Sequence, residues 1–207
     1  MLFAFFIPST LLSRLGRAKK RALVDVGKHG ARDAWQVVAN GGAAAVAALL
    51  AQRFGAPFAA AFAGALAAAS ADTWGTEIGT LARGTPRSVL TLAPVPPGLS
   101  GGVTIQGTAA EIAGAIVVAG VAAALGLAPF LPVTLAGIAG ALIDSILGAG
   151  AQALRWCPQC ERDCETNPHE CSTPTVLRRG VAWLENDAVN AAATMAGAAL
   201  ALAVSLF

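Results

Sequence analysis

The chain has 207 residues, of which 56% are hydrophobic and 13% are charged, and its mean hydropathy is +0.64. A soluble domain has roughly 25% charged residues, so this composition is typical of a membrane protein with closely packed small residues. The formal net charge of +2 is too small to suggest nucleic-acid binding. We predict one integral membrane domain over residues 1–207, in contact with membrane lipids and without a nucleic-acid partner.

The first apolar segment runs from Met1 to Leu12, and positive charge follows it rather than preceding it. The basic residues are Arg14, Arg17, Lys19, Lys20 and Arg21. A secretory signal has the opposite polarity and ends at a small-residue cleavage site. Because a helix rises ~1.5 Å per residue, this segment is too short to cross ~30 Å of hydrocarbon. We predict a short N-terminal helix.

Five further apolar segments are long enough, or nearly so, to cross a bilayer. They are residues 35–54, 57–81, 102–127, 130–154 and 183–206. Tight turns at 55–57 and 126–132 separate two antiparallel pairs of these segments. The predicted fold class is all-α, a polytopic membrane helix bundle with about five full spans plus the short N-terminal helix.

Three longer polar segments alternate with the tight turns and therefore lie on one side of the membrane. They are residues 14–34, 82–101 and 155–182, and they contain 13 of the 14 Lys and Arg residues. The positive-inside rule places these segments in the cytoplasm, with both termini outside. We expect a multi-pass protein of the cell (inner) membrane with a cytoplasmic active site and a cytoplasmic Cys-rich loop at 155–182.

Three carboxylates on three predicted helices lie at similar depth. Asp72 and Asp144 each belong to a stripe of small residues with an interval of four, Ala60-Gly64-Ala68-Asp72-Thr76 and Ala136-Gly140-Asp144-Gly148-Gln152. Residues four apart share a helix face, so each stripe suits close helix contact and carries one aspartate. At ~1.5 Å per residue both aspartates lie ~22 Å from the outer end, and Glu111 is slightly deeper than they are.

Glu77 follows Asp72 by five residues, which is about 140° around an ideal helix. The two carboxylates share a face only if the helix breaks, and Gly75 offers a break. Because buried carboxylates are costly, we expect Asp72 and Glu77 to bind metal or substrate. The alternative is ion pairing with nearby basic groups, which are Arg83, Arg87 and the segment 14–34.

A proline- and glycine-rich turn at residues 96–104 precedes a predicted helix. The backbone N–H groups of such a turn, together with the helix dipole, can bind phosphate. A plain interhelical turn is the alternative, because the Gly-Lys-Ser/Thr ending of a Walker A loop is missing. The candidate phosphate-binding residues are Gly98, Ser100, Gly101, Gly102, Thr104 and Gln106.

Further polar side chains lie at the same predicted end of the bundle. Asn186 or Asp187 suits the N-cap of the last helix, which is the alternative to a binding role. Asn190 lies four residues after Asn186, on the same face. Asn40 lies at similar depth in the second helix. We predict that these residues position metal or substrate.

All four cysteines lie in the polar segment 155–182, at positions 157, 160, 164 and 171. Disulfides are rare in the cytoplasm, so we expect a metal site or free thiols. The sequence Cys157-Pro158-Gln159-Cys160 is typical of half a zinc knuckle, which Cys171 and His169 could complete. Cys164 competes with His169 as the fourth ligand, and a reduced loop with incidental cysteines is the alternative. We expect a structural zinc ion.

Together these motifs resemble a family of multi-span membrane proteins whose plant member is phytyl-phosphate kinase. The matching stretches are residues 36–42, 70–79, 95–104, 140–149, 157–160, 169–171 and 185–190. The chain departs from the family at its N-terminus, where additional spans usually precede the basic segment, so we expect a short form. More distant relatives are CTP-dependent polyprenol kinases and lipid-phosphate cytidylyltransferases.

The resemblance implies a phosphotransferase that converts an isoprenoid monophosphate, such as phytyl or geranylgeranyl phosphate, to the diphosphate. The phosphoryl donor would be a nucleoside triphosphate, expected to be CTP. Mg²⁺ held by Asp72, Glu77 and Asp144 would bridge the phosphates, and Arg83, Arg87 and Glu111 would belong to the phosphate site. A homo-oligomer is left open. The alternatives are a small carrier or channel for an ion or anionic metabolite, and a cytidylyltransferase that forms a CDP-lipid.

Overall fold

The computed structural model describes residues 1–16 and 34–206, and within these ranges the chain forms six α-helices and five short β-strands. The helices are α1 (Leu2–Arg14), α2 (Ala34–Phe54), α3 (Ala56–Gly79), α4 (Ile105–Ala124), α5 (Phe130–Gly150) and α6 (Asn186–Val204). The strands are β1 (Arg87–Ser88), β2 (Gly102–Val103), β3 (Leu154–Cys157), β4 (Arg162–Cys164) and β5 (Val176–Arg179). The basic residues Arg17, Lys19, Lys20 and Arg21 lie outside the described residues.

Four of the described helices, α2, α4, α5 and α6, are long and apolar enough to cross a membrane. The prediction of five full spans is therefore off by one, because α3 does not meet this criterion. It is 24 residues long, but alanine dominates it and its last turns contain Asp72 and Glu77. The two carboxylates and the small polar residues around them lower its hydropathy. The helix α1, with 13 residues, is short, as predicted.

Helix α3 lies at the centre of the bundle, where it contacts each of the other five described helices. Small residues permit these contacts. A Cβ atom added to Gly64 would lie 2.4 Å from the carbonyl oxygen of Gly197 in α6, and one added to Gly140 in α5 would lie 2.5 Å from Ala68 Cβ. The small-residue stripes of α3 and α5 therefore face each other. Large apolar side chains lie on the outside of the bundle, among them Leu49, Ile105, Leu131 and Met195.

The polar segments add two small antiparallel sheets that the all-α prediction omitted. Strands β1 and β2 pair Arg87 with Val103. Strands β4, β3 and β5 form a three-stranded sheet in that order, and residues 154–179 are named the cysteine-rich sheet below. Outside the helices the backbone polar groups need other partners, and short strand pairs supply them. The all-α prediction is correct for the helix bundle and wrong for these segments.

Candidate functional site

A cavity of about 390 Å³ lies at one end of the bundle, where α2, α4 and α6 begin and α3 and α5 end. The alternating directions of the helices bring the predicted polar residues together at this end. The predicted site residues that line the cavity are Asn40, Asp72, Glu77, Gly98, Ser100, Gly101, Gly102, Thr104, Glu111, Asp144, Asn186 and Asn190. The residues Gln36, Glu165, Thr166 and Glu185 also line it, although the sequence did not single them out.

Four predicted residues do not line this cavity. Arg83 and Gln106 are exposed. Arg87 is exposed in β1, where its Nη1 donates a hydrogen bond to the carbonyl oxygen of Leu92 at 2.8 Å. Asp187 lies in the first turn of α6. The predicted role of Arg83 and Arg87 in phosphate binding is therefore not supported by their position in the described chain.

The carboxyl groups of Asp72 and Asp144 are in hydrogen-bonding contact across the interface of α3 and α5. Glu111 of α4 and Glu165 of the polar segment lie within electrostatic reach of Asp144. Oδ2 of Asp144 is buried and has no hydrogen-bond partner within the described part of the chain. Carboxylates this close to one another favour a shared proton or a cation, and hard oxygen donors suit Mg²⁺.

Gly75 makes room for Glu111 beside α3. A Cβ atom at position 75 would lie 2.4 Å from Glu111 Cγ and 2.6 Å from its Oε1. The helix continues through Gly75, so the expectation of a helix break there is wrong. Without a break Asp72 and Glu77 point in different directions. Glu77 accepts a hydrogen bond from the Ser13 hydroxyl of α1, and it lines the cavity from that side.

The glycine-rich turn packs against the end of α5. Gly101 has a φ angle of +76°, and a Cβ atom there would lie 2.3 Å from the backbone nitrogen of Ala149. Both the backbone conformation and the close approach require glycine. At the end of the turn Thr104 is the N-cap of α4, and its hydroxyl oxygen accepts a hydrogen bond from Gly107 N–H at 3.0 Å.

Three N–H groups of the turn, those of Leu99, Ser100 and Gly102, already have partners inside the protein. The N–H of Leu99 donates to the Pro96 carbonyl, and that of Gly102 donates to the Leu99 carbonyl. The Ser100 N–H does bind an anion, but this anion is the Glu165 carboxylate. The turn therefore forms part of the cavity wall, and the Ser100 side chain lies at its centre.

Glu165 is the main site residue that sequence reasoning missed. Its carboxylate accepts hydrogen bonds from Ser100 N–H at 2.9 Å, from the Ser100 hydroxyl at 2.7 Å and from Gln152 Nε2 at 2.9 Å. Burial raises the pKa of Glu165, while the hydrogen bonds from Ser100 oppose this effect. No local pattern marks Glu165, because its partners lie in distant segments. Gln152 was detectable as the last member of the α5 stripe.

The beginning of α6 also differs from the prediction. Its N-cap residue is Glu185, so the predicted cap at Asn186 or Asp187 is wrong. The helix begins at Asn186, and both Asn186 and Asn190 line the cavity. The partial positive charge of a helix N-terminus therefore lies at the cavity wall.

A second polar group lies in the cysteine-rich sheet. The potential ligand atoms of Cys157, Cys160, His169 and Cys171 all lie within 4.8 Å of one another. Cys171 Sγ is 3.5 Å from Cys157 Sγ and 3.2 Å from His169 Nδ1. Cys164, the alternative ligand, lies outside the group and donates to the Thr166 carbonyl at 3.8 Å. The geometry therefore selects His169 over Cys164.

The family described as integral membrane protein DUF92 matches residues 1–198. Protein PGR of Arabidopsis thaliana is 30% identical over 221 residues, which cover 92% of this chain and 75% of the plant protein. An uncharacterized membrane protein of Methanocaldococcus jannaschii is 34% identical over 152 residues, covering 72% and 63% of the two chains. One of Synechocystis is 27% identical over 218 residues, covering 99% and 72%. No solved structure matches.

Proposed function

The chain belongs to the integral membrane protein family DUF92, and from this premise we propose that it is a kinase of isoprenoid monophosphates. One observation carries the proposal: Asp72, Glu111 and Asp144, from three helices, meet in a cavity that the Ser100 turn also lines. The resemblance of the motifs to phytyl-phosphate kinase supports the substrate class. The phosphoryl donor would be a nucleoside triphosphate, with CTP preferred.

The donor set fits Mg²⁺. The buried Oδ2 of Asp144 has no hydrogen-bond partner in the described ranges, and the Asp72 carboxyl lies against the same side chain. Asp72, Asp144 and Glu111 would hold the ion, whereas Glu77 faces Ser13 and lines the cavity toward α1. When bound, Mg²⁺ would neutralise charge on the phosphate oxygens.

The remaining residues of the cavity would bind and orient the phosphates. Phosphoryl transfer depends mainly on positioning and on charge, so no covalent intermediate with the protein is needed. An oxygen of the lipid monophosphate forms a bond to the terminal phosphorus as the bond to the nucleoside diphosphate breaks. The helices α4 and α6 both begin at the cavity, where their N-termini favour anions. The amides of Asn186 and Asn190 supply further donors.

We also propose how the bundle lies in the membrane. Helix α3, enclosed by its neighbours, would be the fifth span, because its helix partners rather than its own hydropathy shield it. The end with the cavity would face the cytoplasm of a multi-pass inner-membrane protein, in agreement with the distribution of Lys and Arg. The isoprenoid tail would lie between helices, next to the exposed apolar surface.

Product analysis of the purified protein in lipid nanodiscs tests the proposal. The assay combines geranylgeranyl or phytyl phosphate, Mg²⁺ and CTP that is labelled at either the α- or the γ-phosphate. We expect the γ label in the lipid product and CDP in solution. The α label in the lipid, with release of diphosphate, would instead identify a CDP-lipid-forming cytidylyltransferase. Absence of both labels from the lipid, with several chain lengths and all four nucleotides, would reject the kinase and favour a carrier or channel.

A further inference from the structure

We propose that the cysteine-rich sheet is a zinc centre that positions Glu165 against the glycine-rich turn. The zinc ligands are Cys157, Cys160, His169 and Cys171, and Glu165 is a positioning residue rather than a catalytic one. This zinc centre adds a support to the candidate site, and only its effect on phosphoryl transfer rests on the proposed function. Zinc content and the exchange of backbone amides can be measured whether or not the protein transfers phosphate.

The four side chains are close enough together to ligate one tetrahedral ion. With Zn–S bonds of about 2.3 Å and Zn–N bonds of about 2.0 Å, tetrahedral ligand atoms are about 3.5–3.8 Å apart. The separations of Cys171 Sγ from Cys157 Sγ and from His169 Nδ1 are 3.5 Å and 3.2 Å. Because Nδ1 faces the sulfur, it is the ring atom that would bind the metal.

The sheet has little apolar core of its own. Its three strands contain four, three and four residues, and all four residues of β5 are exposed. A unit this small rarely folds on hydrophobic burial alone, and a structural metal is a common substitute for a core. Because Cys157 ends β3 and Cys160 lies in the turn that leads to β4, a bound ion would fix this turn.

The turn between β3 and β4 determines where Glu165 lies. Strands β3 and β4 pair from Cys157–Arg162 to Arg155–Cys164, and Glu165 is the next residue. On the other side of the sheet, Arg179 of β5 donates hydrogen bonds to the carbonyls of Gly148 and Ala149 at the end of α5. The sheet is thus anchored to the bundle. The four zinc ligands fix the path of β4, and Glu165 follows β4 directly.

Glu165 holds the glycine-rich turn in place through hydrogen bonds with Ser100. The turn contains two glycines with positive φ angles, Gly98 at +88° and Gly101 at +76°, so its conformation depends on its contacts with the rest of the protein. Between these glycines, Ser100 donates both its N–H and its hydroxyl to Glu165. Charged acceptors form strong hydrogen bonds, so Glu165 fixes the Ser100 side chain at the cavity wall.

The metal is tested first, by elemental analysis of the full-length protein and of four variants. We expect about one zinc per chain in the wild type and in Cys164→Ser, which is the matched control, and none in Cys157→Ser or His169→Ala. Replacement of zinc by Co²⁺ should give thiolate-to-cobalt bands with a tetrahedral visible spectrum, and His169→Cys should keep the tetrahedral spectrum with stronger thiolate bands. The proposal would be overturned if the wild-type protein contained no zinc and all four of its thiols reacted in the folded state. If Cys157→Ser fails to fold, chelation of the wild type replaces it.

The positioning role is tested by hydrogen–deuterium exchange of the peptide that contains residues 96–104. We expect exchange at the turn to increase about tenfold or more in Glu165→Ala and in chelated wild type, because both lose the restraint on Ser100. Glu165→Gln keeps one acceptor oxygen and should restore part of the protection. Glu161→Ala, an exposed residue of the same sheet, is the control and should match the wild type. Unchanged exchange after zinc removal would overturn the role of the metal, and unchanged exchange in Glu165→Ala would overturn the role of Glu165.

Discussion

The Glu165 carboxylate accepts two hydrogen bonds from Ser100, at 2.9 and 2.7 Å, although 65 residues separate them in the chain. The same carboxylate accepts a hydrogen bond from the buried Gln152 at the end of α5. Three segments therefore meet at one carboxylate: the glycine-rich turn, the end of a helix and the cysteine-rich sheet. This junction lies beside Asp144, so the shape of the candidate site depends on a group from outside the helix bundle.

The first prediction concerns the pH dependence of stability. Burial raises the pKa of Glu165 in the folded protein, so the folded state binds its proton more tightly than the unfolded state does. The resulting stabilisation is complete below the unfolded pKa of ~4.3 and is lost as the pH rises through the higher folded value. The melting temperature of the wild type should therefore fall as the pH rises through this range. We predict that Glu165→Gln removes the contribution of Glu165 to this fall. Glu161→Gln, the exposed control, should keep the wild-type slope. Identical slopes in all three proteins would show that Glu165 is not the group responsible.

The second prediction concerns Gly75. A methyl group at this position displaces the flexible Glu111 side chain rather than the backbone. The cost in folding free energy should be at most ~1 kcal/mol, below the usual overpacking penalty, because Glu111 can rotate away. Phosphoryl transfer should fall about 100-fold, because displacement of a group by ~1 Å is that costly in a positioned site. Gly120→Ala in α4 is the matched control, since no atom lies within 4 Å of its added Cβ. Equal activities of the two variants would contradict the assignment of Glu111.

The third prediction concerns orientation in the membrane. Arg83 is exposed in the polar segment after α3, and Leu125 is exposed in the turn after α4, at the opposite end of the bundle. We predict that Leu125→Cys reacts with a membrane-impermeant maleimide in intact cells, whereas Arg83→Cys reacts only in inverted vesicles. The four native cysteines should not react from outside intact cells, because they lie at the same end of the bundle as Arg83. Reaction of Arg83→Cys from outside intact cells would invert the proposed topology.

The fourth prediction concerns metal binding by the carboxylates. A ligand that binds only the folded state raises stability by about 2.7 kcal/mol at a concentration 100 times its Kd. We predict that Mg²⁺ raises the melting temperature of the wild type and has a much smaller effect on Asp72→Asn. The control Asp163→Asn removes a partly exposed aspartate that pairs with Arg178 on the cysteine-rich sheet. Asp163→Asn should therefore respond to Mg²⁺ like the wild type, and an equal response of Asp72→Asn would argue against its role as a ligand.

Much of the bundle follows from local sequence patterns. Apolar length and the turns at 55–57 and 126–132 predict the helices, because the lipid requires every backbone group in a span to be paired within its helix. The four-residue interval of small residues predicts that Asp72 and Asp144 each lie on a helix face suited to close contact, because this interval keeps one face of each helix. That these two faces pack against each other is shown only by the structure. The low hydropathy of α3 is the exception, since its partners in the bundle shield it.

The parts that sequence reasoning missed depend on contacts between distant segments. No periodicity constrains the polar segments, so neither the three-stranded sheet nor the position of Glu165 could be predicted from them. The contact between Ser13 and Glu77 joins α1 to the end of α3 and is equally invisible to local patterns. The preference for His169 over Cys164 is also a matter of tertiary geometry, because the spacing of the cysteines permits both.

The rate of γ-phosphoryl transfer by Asp144→Asn, measured together with its melting temperature, tests the central claim most directly. The Asp144 carboxyl is buried against Asp72, so a ligand role and a purely structural role predict opposite results. If Asp144 is a metal ligand in the reaction, the variant should lose about 10²–10³-fold in rate. Its metal-free melting temperature should hold or rise, because a buried carboxylate is removed. A purely structural role would instead lower the melting temperature, since the contact between the two buried carboxyl groups would be lost. We predict the loss of transfer with unchanged or higher stability, and full transfer with lowered stability would contradict the account.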